Sequence, residues 1–246
     1  MSVVTPRQVT CPHCRQEFTA PVYASLHVRR APEVRDAILA GRFQREPCPK
    51  CGGSIVFERP MIYTDFDRMH LLALLPSGAI RHRSALARHI GGVFERNLTV
   101  AAPPMVKAWA DDFQRRVVFG LPHLREKLVA FEHGIDDRAL EALKVWMLRD
   151  LGLSWLSPGT DAVLDAVDDG MLRISIAGPP GPDRIRVVHV REVPVQSLER
   201  AAEVAAGMPE LAGLVVDWRA LVAPDEPVAE PFDGPDQATL YPQLDP

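Results

Sequence analysis

Apolar residues alternate with polar or small ones through Phe18, Ala20, Val22, Ala24, Leu26 and Val28, the period of a half-buried strand. A helix is predicted next. Ala31-Pro32-Glu33-Val34 places a proline and an acid in a first turn, Val34, Ile38 and Leu39 make one stripe, and Gly41 supplies a left-handed stop. Further on, Ile55-Val56-Phe57 and Met61-Ile62-Tyr63 read as strands. Asp65-Phe66-Asp67-Arg68 reads as a turn into a strand from Met69 to Leu75, and Pro76-Ser77-Gly78 closes the segment. Residues 1–78 are therefore expected to form a β-rich domain with one short helix.

From Ser84 to Leu151 the period becomes helical, with Ser84, Pro103 and Pro104, Pro122 and Asp136 each standing where a helix can begin. Four helices are predicted within residues 79–152. Val106, Trp109, Phe113 and Val117 would line one of them, and Leu140, Leu143, Met147 and Leu151 another. Trp109 and Trp146 are expected in the core.

Residues 153–222 return to mixed structure. Leu172 to Ile176 and Ile185 to Val190 alternate as strands around the turn Gly178-Pro179-Pro180-Gly181-Pro182-Asp183. A helix from Val195 to Ala206 and a short strand at Leu214 to Val216 would complete a small α+β unit. The acidic, proline-rich run 223–246 has few groups to bury and is predicted to be disordered. The expected fold class is α+β: a β-rich N-terminal domain, a helical middle segment and a small α+β C-terminal part.

Charge divides the chain unevenly. Residues 1–118 carry 17 Lys and Arg against 10 Asp and Glu, whereas residues 222–246 carry six acids and no Lys or Arg. A basic half can attract phosphate, although an acidic tail that keeps the protein soluble or folds back onto that half is the simpler reading. No apolar run approaches the roughly 20 residues that span a bilayer. The start, Met1-Ser2-Val3-Val4-Thr5-Pro6-Arg7, lacks the basic and apolar regions of a signal peptide. The expectation is a cytoplasmic protein.

All four cysteines fall in two copies of one pattern, Cys11-Pro12-His13-Cys14 and Cys48-Pro49-Lys50-Cys51, the second followed by Gly52 and Gly53. Two Cys-x-x-Cys turns supply the four soft ligands of a tetrahedral Zn²⁺ site. Glycine after such a turn relieves crowding where backbone N–H groups point at the sulfurs. The 33 residues between Cys14 and Cys48 exceed the usual ribbon spacing of roughly 15–20, and the helix predicted from Pro32 accounts for the excess. Cys-Pro-His-Cys also resembles a thioredoxin-like redox dithiol, but such a dithiol opens a helix, whereas Arg15 to Val28 alternates like a strand. Four thiolates would close the shell, so the zinc is expected to be structural.

With these motifs in place, the segment from Cys11 to about Pro76 resembles the CpXC domain, a bacterial family named for its paired Cys-Pro-x-Cys motifs. Ile38-Leu39-Ala40-Gly41, Cys48-Pro49-Lys50-Cys51-Gly52 and Met61-Ile62-Tyr63-Thr64-Asp65 stand where that family has a Gly-ended helix, a knuckle and a Tyr-x-Asp strand end. Leu124-Arg125-Glu126-Lys127 and the run Asp136 to Lys144 look like the helical continuation of longer members. The resemblance implies a zinc-ribbon-like domain and no mechanism, since the family carries no assigned activity.

Other candidates are weaker. Asp65 and Asp67 can bind a cation through hard oxygens, yet a turn explains them more simply. Asp136, Asp137, Arg138, Glu141 and Lys144 crowd the start of one helix, where acids oppose the macrodipole favourably, and are denser than capping requires. With Tyr63 and Asp65 they form a candidate polar cluster. No His-Glu-x-x-His, Gly-x-Ser-x-Gly or phosphate-loop signature occurs. The expected role is a protein-binding or scaffolding module. Nucleic-acid binding through the basic half is the alternative, and an enzyme of unrecognised type using the polar cluster is a third reading.

Overall fold

The computed structural model describes residues 2–100, 102–157, 159–179, 186–222 and 225–226. The described chain divides into two compact units, meeting between Leu121 and Pro122.

In the first unit, β1 (Val3–Thr10) and β2 (Glu17–His27) pair antiparallel, with Val9 opposite Phe18. Helix α1 (Pro32–Leu39) starts on Pro32, whose missing N–H has no partner to lose there. It stops at Gly41, whose φ of 67° suits glycine. Short strands β3 (Arg45–Pro47) and β4 (Ser54–Val56) form a two-stranded ribbon. The antiparallel pair β5 (Met61–Asp65) and β6 (His70–Leu75) follows. Beyond it, α2 (Arg83–Glu95) runs into a π-helical turn (Arg96–Val100), and α3 (Pro104–Ala108) precedes β7 (Gln114–Phe119).

The main sheet has the order β1-β2-β5-β6-β7. β2–β5 and β6–β7 are parallel, with His70 opposite Gln114 and Leu75 opposite Phe119. Every residue of β6 is buried, as expected of a strand flanked on both edges and covered on both faces. The Glu58 carboxylate accepts bonds from the Ser77 N–H at 2.9 Å and its hydroxyl at 2.6 Å, which fixes the chain as it leaves β6.

Three expectations for the middle segment are corrected here. The starts of four α-helices fall close to where capping and proline signals put them, but the segment is not helical throughout. Val117 and Val118 belong to β7, because a β-branched run beside the bare edge of β6 gains a full ladder as a strand. The stripe Val106, Trp109, Phe113, Val117 is therefore no helix face. Trp109, expected in the core, follows the short α3 and is 41% exposed.

In the second unit, α4 (Leu121–Glu132) and α5 (Asp137–Leu151) precede a three-stranded antiparallel sheet of order β10-β9-β8. Its strands are β8 (Asp161–Asp168), β9 (Met171–Ala177) and β10 (Val188–Pro194). Leu172, Ile174 and Ile176 of β9, with Ala162 and Leu164 of β8, are fully buried on one face. Helix α6 (Ser197–Ala205) packs on α5, where the Arg200 guanidinium stands 5.7 Å from the Trp146 ring. A 3-10 turn (Trp218–Leu221) ends the described core.

β8 went unread in the sequence because aspartates at 161, 165 and 168 interrupt its apolar run. Leu214 to Val216 form no strand; Val215 and Val216 are buried without a ladder partner. The breaks expected after residues 78 and 152 fall inside the two units, since β7 joins β6 across the first and α5 packs with α6 across the second. Residues 180–183 of the predicted turn, residue 185 at the start of the strand predicted after it, and the predicted tail apart from Asp225 and Glu226 lie outside the described residues. Among the described residues no helix is long and apolar enough to cross a membrane.

Candidate metal centre

Each cysteine pair sits in the same backbone turn. The Cys11 N–H donates to the Gln16 carbonyl and the Arg15 N–H to the Cys11 carbonyl, both at 2.9 Å. In the second turn the Cys48 N–H donates to Gly53 and the Gly52 N–H to Cys48, again at 2.9 Å. Both turns place the fifth residue in the left-handed region, Arg15 at φ 58° and Gly52 at φ 69°. The second knuckle meets that demand with glycine; the first holds a non-glycine residue there at some cost.

The turns bring the four sulfurs within 4.8 Å of one another. Cys11 and Cys51 are 3.7 Å apart and Cys14 and Cys48 3.6 Å. A tetrahedral ion with metal–sulfur bonds of about 2.3 Å separates its ligands by about 3.8 Å, so the donor set fits one ion. No other group of three or more metal-ligating side chains occurs among the described residues. Val9, Ala20, Ile55 and Phe57 pack around the buried Cys11 and Cys48, while Cys51 is exposed. Gly53 has a steric reason as well: a Cβ there would lie 2.9 Å from the His13 ring and 3.3 Å from Cys51 Sγ. Cys14 leads into β2 and not into a helix, so no helix N-terminus is present to activate a redox dithiol.

Without a cation the thiols of Cys14 and Cys48 are driven in opposite directions. Burial opposes charge on Cys48, but the Cys51 and Lys50 N–H groups and the neighbouring thiols bring it down to about 6. At Cys14 the Gln16 N–H favours the thiolate, yet burial and the thiols of Cys48, Cys51 and Cys11 push it up to about 12. A dication among the sulfurs removes that conflict, because coordinated thiols deprotonate.

The family model described as CpXC protein matches residues 9–144, more than half of the chain. The chain belongs to the CpXC family. No curated protein and no solved structure matches it. In this CpXC protein the matched region takes in both cysteine turns, the main sheet apart from most of β1, of which only Val9 and Thr10 fall inside, and the second unit as far as Lys144 in α5.

The candidate polar residues divide by unit. Tyr63 and Asp65 belong to the first. Asp65 accepts from the Asp67 and Arg68 N–H groups at 3.1 and 3.2 Å and pairs with the Arg68 guanidinium, while Asp67 pairs with Arg29. These are turn contacts, which leave no cation site at Asp65 and Asp67. Burial pushes the Tyr63 hydroxyl up, and the Asp65 charge adds to it against Arg35.

In the second unit Asp136 caps α5, accepting from the Arg138 N–H at 2.9 Å, and the two side chains pair at the surface. Asp137, Glu141 and Lys144 point the other way, into the core. Lys144 Nζ contacts Glu126 at 2.7 Å and Glu141 at 3.1 Å; Lys127 Nζ reaches Glu141 at 3.0 Å and Asp137 at 3.3 Å. Glu126 also accepts the Leu164 N–H at 2.6 Å, and Glu141 the Trp218 N–H at 3.1 Å. Beside them Asp217 pairs with Arg219 at 2.6 Å, and His123 bonds Asp161 at 2.8 Å. Sequence reasoning missed His123, Asp161, Asp217 and Arg219. Its available signal was the polar spacing His123, Glu126, Lys127 on α4, facing Asp137, Glu141, Lys144 on α5, a pattern that ordinarily marks a solvent face.

His123 supplies a pH test. Burial and Arg219 disfavour its charge, but the Asp161 and Glu126 carboxylates, with Asp217 behind them, raise it to about 9. An unfolded histidine titrates near 6.5. The stabilisation is thus complete below pH 6.5 and is lost as pH rises through 9, with a total on the order of 3 kcal/mol. Urea unfolding of the second unit at pH 6.5 and pH 9.5 should show this loss, and His123→Gln should flatten it. An unchanged slope in that variant would assign the pH dependence elsewhere.

Proposed function

We propose that this CpXC protein is a zinc-binding protein-interaction or scaffolding module whose metal is structural. The observation that carries the reading is the donor set. Four sulfurs at tetrahedral spacing, two of them buried, suit Zn²⁺ and leave no position for water or substrate once the ion is held. The ion would then fix the β1–β2 and β3–β4 turns relative to each other. Met105 (65% exposed) and Trp109, four residues apart at α3, support a protein partner, since exposed large apolar side chains of this kind are concentrated where proteins meet.

Nucleic-acid binding is the less favoured reading. Arg29 and Arg68 of the basic half are engaged by Asp67 and Asp65, and Arg35 is buried. The test is capture from native lysate at moderate salt by the full chain and by Trp109→Ala, read for protein and polynucleotide together. The expected result is a protein recovered by the parent and lost with the variant. Polynucleotide affinity should stay in the nonspecific range of roughly 10⁻⁴–10⁻⁶ M at physiological salt. Submicromolar, steeply salt-dependent binding to polynucleotide would replace this reading with the alternative.

A further inference from the structure

The four sulfurs are not equally accessible. Cys11 and Cys48 are buried, Cys14 is partly covered and Cys51 is exposed. Cys51 Sγ stands 3.7 Å from Cys11 Sγ on the other knuckle. Cysteine oxidation follows thiolate character and access. Metal ligation would hold Cys51 as a thiolate at the surface, with a second thiolate directly behind it.

We infer that Cys51 is the point at which a hydroperoxide attacks this site, converting the four-thiolate zinc centre into a Cys11–Cys51 disulfide and releasing the ion. The inference rests on the zinc reading above. In the first step the Cys51 thiolate takes one peroxide oxygen: the S–O bond forms, the O–O bond breaks, and the departing hydroxide is protonated to water. Sulfur is oxidised by two electrons and the peroxide reduced by two. The Cys11 thiolate then attacks Cys51 sulfur, the S–S bond forms, and the S–O bond breaks to release a second hydroxide, which leaves as water. Two thiolates, one hydrogen peroxide and two protons become one disulfide and two waters. Zinc keeps only Cys14 and Cys48 and is lost to solvent.

The cross-knuckle geometry sets this apart from simple damage. A bond within either Cys-x-x-Cys turn would leave the two turns unlinked once the ion departs. A Cys11–Cys51 bond requires the sulfurs to close from 3.7 Å to about 2.05 Å and keeps the turns covalently joined. The site therefore has two linked states, one metal-held and one disulfide-held, with hydroperoxide as the input and free zinc as the output.

The full chain, reduced and loaded with zinc, is first assayed for metal by elemental analysis and then treated with substoichiometric hydrogen peroxide. Released zinc is read with a chromogenic chelator and disulfides by non-reducing peptide mass spectrometry. About one zinc should be released per peroxide consumed, with Cys11–Cys51 as the first disulfide. Cys51→His keeps a nitrogen and sulfur ligand set that zinc accepts; it should retain metal and release it about tenfold more slowly. Should that variant fail to hold zinc, the disulfide map of the parent decides alone. Zinc retained through peroxide treatment, or a first disulfide within one Cys-x-x-Cys turn, overturns the inference and leaves the zinc reading standing. A parent protein without zinc before any oxidant overturns both.

Discussion

Replacing Cys48 with serine should reduce the metal content from about one zinc per chain to a small fraction of that and unfold the two knuckles, the largest effect expected of any single change. Structural zinc sites of this type carry roughly 10–16 kcal/mol of apparent binding energy, much of which is folding energy. Cys48 is the position to change because it is buried, packed with Val9, Ala20, Ile55 and Phe57, and brought down to about 6 by adjacent N–H groups. A serine hydroxyl is a poor ligand there and leaves three thiolates without a closed shell. Elemental analysis gives the stoichiometry, and hydrogen exchange of β3 and β4 gives the structural loss. Reduced, metal-free parent protein with those strands fully protected would show that the cysteines hold the region without an ion.

Lys144→Met should destabilise the second unit by about 3–5 kcal/mol, because it leaves Glu126 and Glu141 with less buried counter-charge than they need. The lysine is fully buried, and its ammonium contacts both carboxylates. Burial works against its charge, yet those two acids hold it up, and the Glu126 carboxyl is held down chiefly by Lys144 against its own burial. Adding Glu126→Gln should recover part of the loss, since a neutral amide still accepts the Leu164 N–H. Arg138→Ala, at the exposed cap, should change stability by less than about 1 kcal/mol. Urea midpoints for these variants check the argument. Equal losses for Lys144→Met and Arg138→Ala would show that the inner network is no better insulated from solvent than the cap.

Much of the first unit could be read from residue order. Pro32 and Gly41 mark α1 within two residues, and the apolar runs place β5 and β6. The cysteine spacing points to a four-sulfur set before any geometry is known, because a Cys-x-x-Cys turn is local and two of them specify a site. What escaped depends on partners distant in sequence. β7 was read as helix because its short valine run is ambiguous until β6 lies beside it. Asp137, Glu141 and Lys144 were seen as unusually dense, but their inward orientation depends on Lys127 and Glu126, and the latter is bridged to Leu164. Charge pattern on one helix cannot distinguish a wet face from a dry one whose counter-ions arrive on another element.

The pairing of β6 with β7 also bears on how the chain matures. β5 and β6 are neighbours in sequence and can form a hairpin early, whereas the outer edge of β6 has no partner until Gln114 to Phe119 exist. Until then the nascent chain displays His70-Leu71-Leu72-Ala73-Leu74-Leu75, an edge with no proline or lysine within it and only Arg68 before and Pro76 after as gatekeepers. The residues between, with α2 and α3, set the interval of vulnerability during synthesis. β7 thus acts as the chain's own protection against edge-to-edge aggregation.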